Sequence, residues 1–242
     1  RINEIIHVLE NSYDGEKNPP DIQKLKGMLR EFEEELVWAH FGVKVENVHH
    51  LRLGFYTGDI FTEQPEHSRD VMPVLEQLRV IKPTVISLAL DPEGSGPDTH
   101  YKVLQAIAEA VRLWRKEEDL SKLRIIGYRN VWYRFHPSEA DVFVPVSLNT
   151  LAILDETFTD CYLSQVEASF PSYLLDGKFS TLAQQIWIDQ MKHIQLLLGK
   201  NFFYENPSPR VRAAHGLLFF KEMNVDTFLQ QARELEKSME GF

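Results

Sequence analysis

The apolar positions along the chain predict strands and helices that alternate. Three runs rich in β-branched and other apolar residues are typical of strands: Thr84–Leu90, Leu123–Tyr128 and Val142–Val146. The first is almost entirely apolar, as in a strand that is covered on both faces of a parallel sheet. Alternating residues at Val48–Leu53 predict one more strand. The order of strand, helix and strand over residues 45–130 therefore favours an α/β layer with a mostly parallel sheet.

Apolar residues that recur every three or four positions predict the helices. After the helix N-cap Asp21 such a repeat runs to Val37, and Gly42 follows it as a stop signal. Its four glutamates, at positions 31 and 33 to 35, predict a solvated helix face rather than an acid/base cluster. Further repeats predict helices at Asp70–Ile81, Val103–Trp114, Leu148–Ser169, Thr181–Leu198 and Val225–Glu240. The C-terminal part is thus mainly helical, and a single domain over residues 1–242 is the simplest organisation.

Composition and charge exclude several classes of protein. Of the 242 residues, 43% are hydrophobic and 26% are charged, which is ordinary for a globular protein and excludes a disordered chain. No apolar run approaches the roughly 18 residues of a membrane span, and a net charge of −10 opposes binding to nucleic acid. The single cysteine, Cys161, excludes a disulfide framework, and its helical pattern predicts a core thiol. Because the sequence shows no signal peptide, we expect a cytoplasmic protein without nucleic-acid or membrane partners.

The loop Asp91–His100 leads from a predicted strand end into a predicted helix, where open parallel sheets bind ligands. It holds the carboxylates of Asp91, Glu93 and Asp98 and the imidazole of His100 within ten residues. One interpretation is a plain strand–helix connection with an aspartate cap and an exposed histidine. The other is a metal or acid/base site, since Zn²⁺ binds histidine nitrogen and carboxylate oxygen. A catalytic zinc has three protein ligands and this loop offers at most two, so further ligands would come from elsewhere.

The segment Gly127–His136 follows the next predicted strand and is expected at the same edge of the sheet. Arg129 and Arg134 could bind a phosphate or carboxylate, and Trp132 or Tyr133 could stack on a sugar. The alternative is a surface loop with aromatic anchors, but the shared edge favours a ligand role. The sequence contains no Gly-x-Ser-x-Gly elbow, Walker A loop or Gly-x-Gly-x-x-Gly fingerprint, which disfavours serine hydrolases, NTPases and dinucleotide enzymes.

The order of several short motifs resembles one known family, the PIG-L/LmbE-like zinc-dependent N-acetylglucosaminyl deacetylases. The most similar variety is the deacetylase-like domain fused behind a glucosamine-6-phosphate deaminase-like domain. The matching motifs are Lys24–Arg30, Val45–His49, Phe55–Gly58, Asp91-Pro92 with Thr99-His100, Tyr128-Arg129 with Trp132, Val144–Ser147 and Ser164-Gln165. The resemblance implies a Rossmann-like three-layer sandwich in a single domain.

The resemblance also implies a chemistry, the hydrolysis of the N-acetyl group of an N-acetylglucosamine-type sugar, which could be phosphorylated. In the family, zinc is held by a His-Pro-Asp-Asp-like loop and by one later histidine, which here is His100. Zinc is the implied cofactor, because it activates water and polarises the amide carbonyl. The implied catalytic carboxylates are Asp91 and Asp98. The implied sugar-binding residues are Glu93, Arg129, Trp132 and Gln165.

Two departures from the family pattern affect this implied site. No His-Pro-Asp-Asp loop occurs in the 242 residues. Either two zinc ligands, the base and the first strand lie upstream of Arg1, as we expect for a fragment, or this branch has lost them. In addition, Pro97 stands where the family usually has a histidine that stabilises the oxyanion.

Three classes of function therefore stay open. The first is a metal-dependent amidohydrolase that acts on a small amino-sugar substrate. The second is a catalytically impaired module that binds an amino sugar or sugar phosphate, with Arg129, Trp132 and His100 as contacts. The third is an assembly domain that uses its helical C-terminal half. As protein partners we expect a second copy of the chain or a fused or associated deaminase-like domain.

Overall fold

The computed structural model describes residues 1–13, 16–55, 62–91, 98–129, 134–168 and 177–239. Its helices are α1 (Ile2–Asn11), α2 (Pro20–His40), α3 (Met72–Ile81), α4 (Asp98–Trp114), α5 (Leu148–Cys161), α6 (Phe179–Leu198), α7 (Asn201–Tyr204), α8 (Pro209–Arg212) and α9 (Val225–Met239). Its strands are β1 (Val85–Ala89), β2 (Arg124–Tyr128), β3 (Val142–Ser147) and β4 (Ala214–Met223). A 3-10 turn at Val45–Asn47 and a π-helical turn at His67–Val71 precede α3. None of the described helices combines the length and apolarity needed to cross a membrane.

The four strands form one sheet in the order β1-β2-β4-β3. Strands β1 and β2 are parallel, with Val85 opposite Arg124 and Ala89 opposite Tyr128. Strand β4 lies antiparallel to both β2 and β3. The α/β class is therefore confirmed, whereas the prediction of a mostly parallel sheet is wrong. The sheet is mixed because the ten-residue strand β4 enters its middle in the opposite direction.

The sequence of β4 is compatible with either a strand or a helix. Its apolar run, Leu217–Phe220, lies between segments with helical spacing. A short apolar run of this length fits a buried strand and a buried helix equally well. This segment forms a strand because pairing with β2 and β3 satisfies the backbone hydrogen-bonding groups of β4 along both edges.

The predicted strand at Val48–Leu53 is wrong, since these residues form no strand. Leu51 and Leu53 still pack against the main core. Arg52, however, has a left-handed φ of 50°, which interrupts an extended chain. The alternation of apolar residues thus reports burial here, while strand formation also needs a neighbouring backbone to pair with.

The main core lies where α3, α4, α6 and α9 pack around the sheet. Its most deeply buried side chains include Leu104, Val111, Ile125 and Phe228. Cys161 is also buried, and burial raises the pKa of its thiol. The prediction of a core thiol is therefore confirmed, and a protonated, buried thiol is a poor nucleophile.

Replacing Gly27 with alanine is expected to raise the free energy of unfolding by about 0.5–1 kcal/mol. Gly27 lies inside α2, and a Cβ added there would meet no atom within 4 Å. Urea denaturation measures the change. The control is Gly199→Ala at the end of α6, where φ is +79° and a side chain strains the backbone. A Gly27→Ala protein less stable than the wild type would contradict the prediction.

Candidate functional site

The structure brings Asp91 and His100 together beyond the end of β1. Leu90 extends the strand, because its N–H donates to Tyr128 O at 2.7 Å, and Asp91 follows immediately. His100 lies in the first turn of α4, and its Nδ1 is 2.7 Å from Asp91 Oδ2. The Asp91 side chain is 5% exposed and the His100 side chain 28%. A buried carboxylate thus holds a partly accessible imidazole at the sheet edge.

This hydrogen bond determines how the imidazole can react. A neutral histidine that donates its Nδ1 proton to a carboxylate carries its lone pair on Nε2. The Nε2 atom can then bind a metal or accept a proton, and the carboxylate keeps the ring in one orientation. Asp91 therefore acts through His100 in this arrangement, as the residue that orients the imidazole.

Asp98 belongs to a different group, on the other side of the first turn of α4. Its Oδ2 lies 2.7 Å from Lys102 Nζ, and the Thr62 hydroxyl donates to the same oxygen. Lys102 is only 3% exposed and also donates to Thr62 O at 3.0 Å. Burial opposes ionisation of Asp98, but the hydrogen bonds from Lys102 and Thr62 and the Lys102 charge outweigh it and lower its pKa. Asp98 is thus an ionised acceptor that is bonded to Lys102 and Thr62.

Sequence reasoning missed Lys102, although a signal for it was present. Asp98 and Lys102 are four positions apart, so they face the same side of a helix. The spacing indicates an ion pair, but it does not reveal that the lysine is buried and bonded to Thr62.

Arg129 connects the ends of β1 and β2. Its guanidinium donates to Leu90 O at 3.3 Å and to both carboxylate oxygens of Glu139, at 3.1 and 3.2 Å. It also lies over the Phe135 ring, 4.2 Å from the centroid, and its side chain is 11% exposed. These contacts join the ends of β1 and β2, from which the two loops lead, at one sheet edge. The guanidinium of Arg129 contributes directly to holding that edge together.

Helix α2 carries glutamates that were predicted from the sequence to face solvent. Glu33 is 5% exposed and accepts hydrogen bonds from both the N–H and the hydroxyl of Ser164, each at 2.7 Å. Glu34 accepts from the Tyr162 hydroxyl and, at 2.8 Å, from Trp38 Nε1. The prediction of a solvated glutamate face is therefore wrong for Glu33, because the chain after α5 folds back over this side of α2.

Carboxylates also influence the phenols of Tyr128 and Tyr162. Burial raises the pKa of Tyr128, and the charges of Asp91 and Glu34 raise it further. Burial and the hydrogen bond to Glu34 likewise raise the pKa of Tyr162. Both phenols therefore keep their protons at neutral pH and can serve as hydrogen-bond donors.

The remaining predicted residues are placed as follows. Helix α5 ends at Cys161, so Ser164 and Gln165 lie in turns and not in the helix expected from the sequence. Gln165 is half-buried, and its Nε2 donates to Ser164 O at 3.1 Å. Glu93 and Trp132 lie outside the described residues. Their roles in sugar binding stay predictions, as does that of Gln165.

A polar cavity of about 360 Å³ adjoins Asp91. Its lining combines charged residues from the strand ends with polar residues of α9: Asp91, Arg129, Glu139, Lys221, Gln231, Glu234 and Ser238. A larger cavity of about 880 Å³ lies between α6 and the strands β3 and β4, but its described lining has no Asp, Glu, Lys or Arg side chain. Sugar recognition needs polar groups that converge on the ligand, so the smaller cavity is the better candidate.

The comparisons with known proteins give one partial similarity. The chain is 32% identical over 149 residues to a glucosamine-6-phosphate deaminase-like protein of Bacteroides thetaiotaomicron. The match covers 60% of this chain but only 22% of the length of that relative. No family model matches the chain, and no solved structure matches it significantly. Similarity to a deaminase-like protein is therefore established, while a relation to the PIG-L/LmbE-like deacetylases stays a prediction.

Proposed function

We propose that this chain binds an amino sugar or its phosphate beside the carboxyl ends of β1 and β2. The observation that carries the proposal is the 2.7 Å contact between His100 Nδ1 and Asp91 Oδ2, with Asp91 lining the polar cavity. Sheet edges of this kind are the usual ligand sites of α/β proteins. The name of the Bacteroides relative, which refers to glucosamine 6-phosphate, supports this class of ligand.

The reaction that we infer is hydrolytic removal of the N-acetyl group from an N-acetylglucosamine-type sugar. Asp91 orients His100 so that the Nε2 lone pair faces outward from the hydrogen-bonded pair. Protonated Tyr128 is close enough to Asp91 to sense its charge, which places a hydrogen-bond donor near the same edge. Direct attack by water needs no covalent intermediate, which agrees with the buried, protonated state of Cys161.

In the proposed hydrolase, His100 Nε2 would be one zinc ligand, oriented by the Asp91 carboxylate as metal-binding histidines usually are. Within the described ranges, no group of three histidine, cysteine or carboxylate side chains could hold a metal ion. The other ligands would therefore come from polypeptide outside those ranges. The outer edge of β1, which pairs with no described strand, lies next to Asp91 and offers access. A bound zinc would supply a positive charge that polarises the amide carbonyl.

A non-catalytic sugar-binding module is the second candidate. The incomplete set of metal ligands among the described residues favours it. In this role His100 and Arg129 would contact the sugar without taking part in a reaction. Both proposals use the same sheet edge, so measurements of metal content and turnover separate them.

Elemental analysis for zinc, followed by titration with glucosamine 6-phosphate, tests these functions. About one zinc per chain together with acetate release from N-acetylglucosamine 6-phosphate supports the hydrolase. Metal-free protein that still binds glucosamine 6-phosphate supports the module. A protein that binds neither zinc nor any amino sugar contradicts both proposals.

A further inference from the structure

We propose that Lys221 recognises the phosphate of a phosphorylated amino sugar in the cavity between α9 and the strand ends. This inference rests on the proposed function and narrows it, since it names the group that selects the substrate. It assigns Lys221, which sequence reasoning did not single out, to binding of the ligand.

The position of Lys221 follows from the register of the sheet. Lys221 lies on β4 opposite Gly127 of β2, near the end of the parallel pair. Its side chain lines the 360 Å³ cavity together with Asp91 and Arg129. The antiparallel entry of β4 thus brings a cation to the edge where β1 and β2 end.

The contacts of Lys221 distinguish it from the other cation of the cavity. Arg129 has a carboxylate partner in Glu139, bonded through two nitrogens. The Lys221 ammonium instead donates to a neutral carbonyl, Glu139 O, at 3.3 Å, and it forms no ion pair with any described residue. Its half-buried charge also acts on the Glu139 carboxylate. Because no described carboxylate is bonded to the ammonium, the charge can also meet an anionic group of a ligand.

The rest of the cavity suits the sugar portion of such a ligand. On α9, Gln231 and Glu234 offer an amide and a carboxylate, and Ser238 offers a hydroxyl. These groups can exchange hydrogen bonds with sugar hydroxyls, and Glu234 and Asp91 can accept from an ammonium group. A cavity of about 360 Å³ is near the lower end of the range of roughly 300–1,000 Å³ for small-molecule sites. It suits a monosaccharide phosphate, which carries both an anion and hydroxyl groups.

Calorimetric titration of the protein with glucosamine 6-phosphate and with unphosphorylated glucosamine tests the inference. We expect the wild type to prefer the phosphorylated sugar by about tenfold or more, as a charge-assisted contact provides. Lys221→Met should lower affinity for glucosamine 6-phosphate by about tenfold and leave affinity for glucosamine unchanged. Lys221→Arg should keep most of the preference, because it keeps the positive charge.

Lys237→Met is the matched control, since Lys237 lies on α9 but does not line the cavity. It should leave both affinities unchanged, and the urea midpoint of each variant verifies folding. If the wild type binds both sugars equally, or if Lys221→Met keeps the preference for phosphate, the inference is wrong while the proposed function stands. If neither sugar binds the wild type, the proposed function is wrong, and this inference with it.

Discussion

Replacing Asp70 with alanine is expected to lower the free energy of unfolding by about 3–5 kcal/mol. The Asp70 side chain is fully buried and accepts hydrogen bonds from Gly54 N at 2.6 Å, Glu66 N at 2.8 Å and Arg69 Nη2 at 2.9 Å. Removing the carboxylate leaves these donors unsatisfied and the guanidinium without its buried partner. Urea denaturation of the wild type and the variant measures the loss.

The control for this substitution is Asp119→Ala. Asp119 also accepts a backbone hydrogen bond, from Ser121 N at 3.0 Å, but it lies at an exposed site. We expect a loss of about 1 kcal/mol or less there, because water replaces the lost contact. Equal losses for the two variants would show that the Asp70 network does not stabilise the fold as proposed.

The ionisation of Asp70 predicts that the free energy of unfolding depends on pH. Burial opposes ionisation of Asp70, but hydrogen bonds from Arg69, Glu66 N and Gly54 N and the Arg69 charge outweigh it and lower its pKa. A carboxyl with a lowered folded-state pKa stabilises the fold above its unfolded pKa of about 3.9 and loses this contribution as pH falls through the folded value. Asp70→Ala should therefore flatten the loss of stability below about pH 4, which chemical denaturation over a pH series detects.

Replacing Asp91 with asparagine is expected to weaken zinc binding by about 10–100-fold, if the proposed hydrolase is correct. Asparagine keeps the shape of the side chain but removes the charge that accepts the Nδ1 hydrogen bond and orients the His100 ring. His100→Ala should abolish binding of the ion, since it removes the ligand itself. Competition with a zinc chelator measures both affinities in the protein.

Asp155→Asn is the matched control for zinc binding. Asp155 accepts one hydrogen bond, from Ser180 Oγ at 2.7 Å, and does not line the cavity. Its zinc affinity should equal that of the wild type, and unfolding midpoints verify that all three variants are folded. Zinc retained by His100→Ala would contradict the assignment of His100 as a metal ligand.

Much of the candidate site follows from local sequence. A buried strand that ends at Asp91 and a helix that begins near His100 place the two residues within reach of each other, and their hydrogen bond agrees with that expectation. The burial of Glu33, in contrast, cannot be predicted from local sequence. Its burial depends on Ser164, which is 131 positions away, and no periodicity within α2 reports that contact.

Sequence alone predicted helices α2 to α6 and α9, apart from the end of α5, and the strands β1 to β3, because apolar spacing reflects which face of each element is buried. Only the tertiary structure shows that β4 runs antiparallel to its neighbours, that Val48–Leu53 forms no strand, and that Lys221 lines the same cavity as Asp91. Backbone pairing and cavity formation join residues that are distant along the chain. Both depend on which distant residues the fold brings together, and the local spacing of apolar residues does not identify those residues.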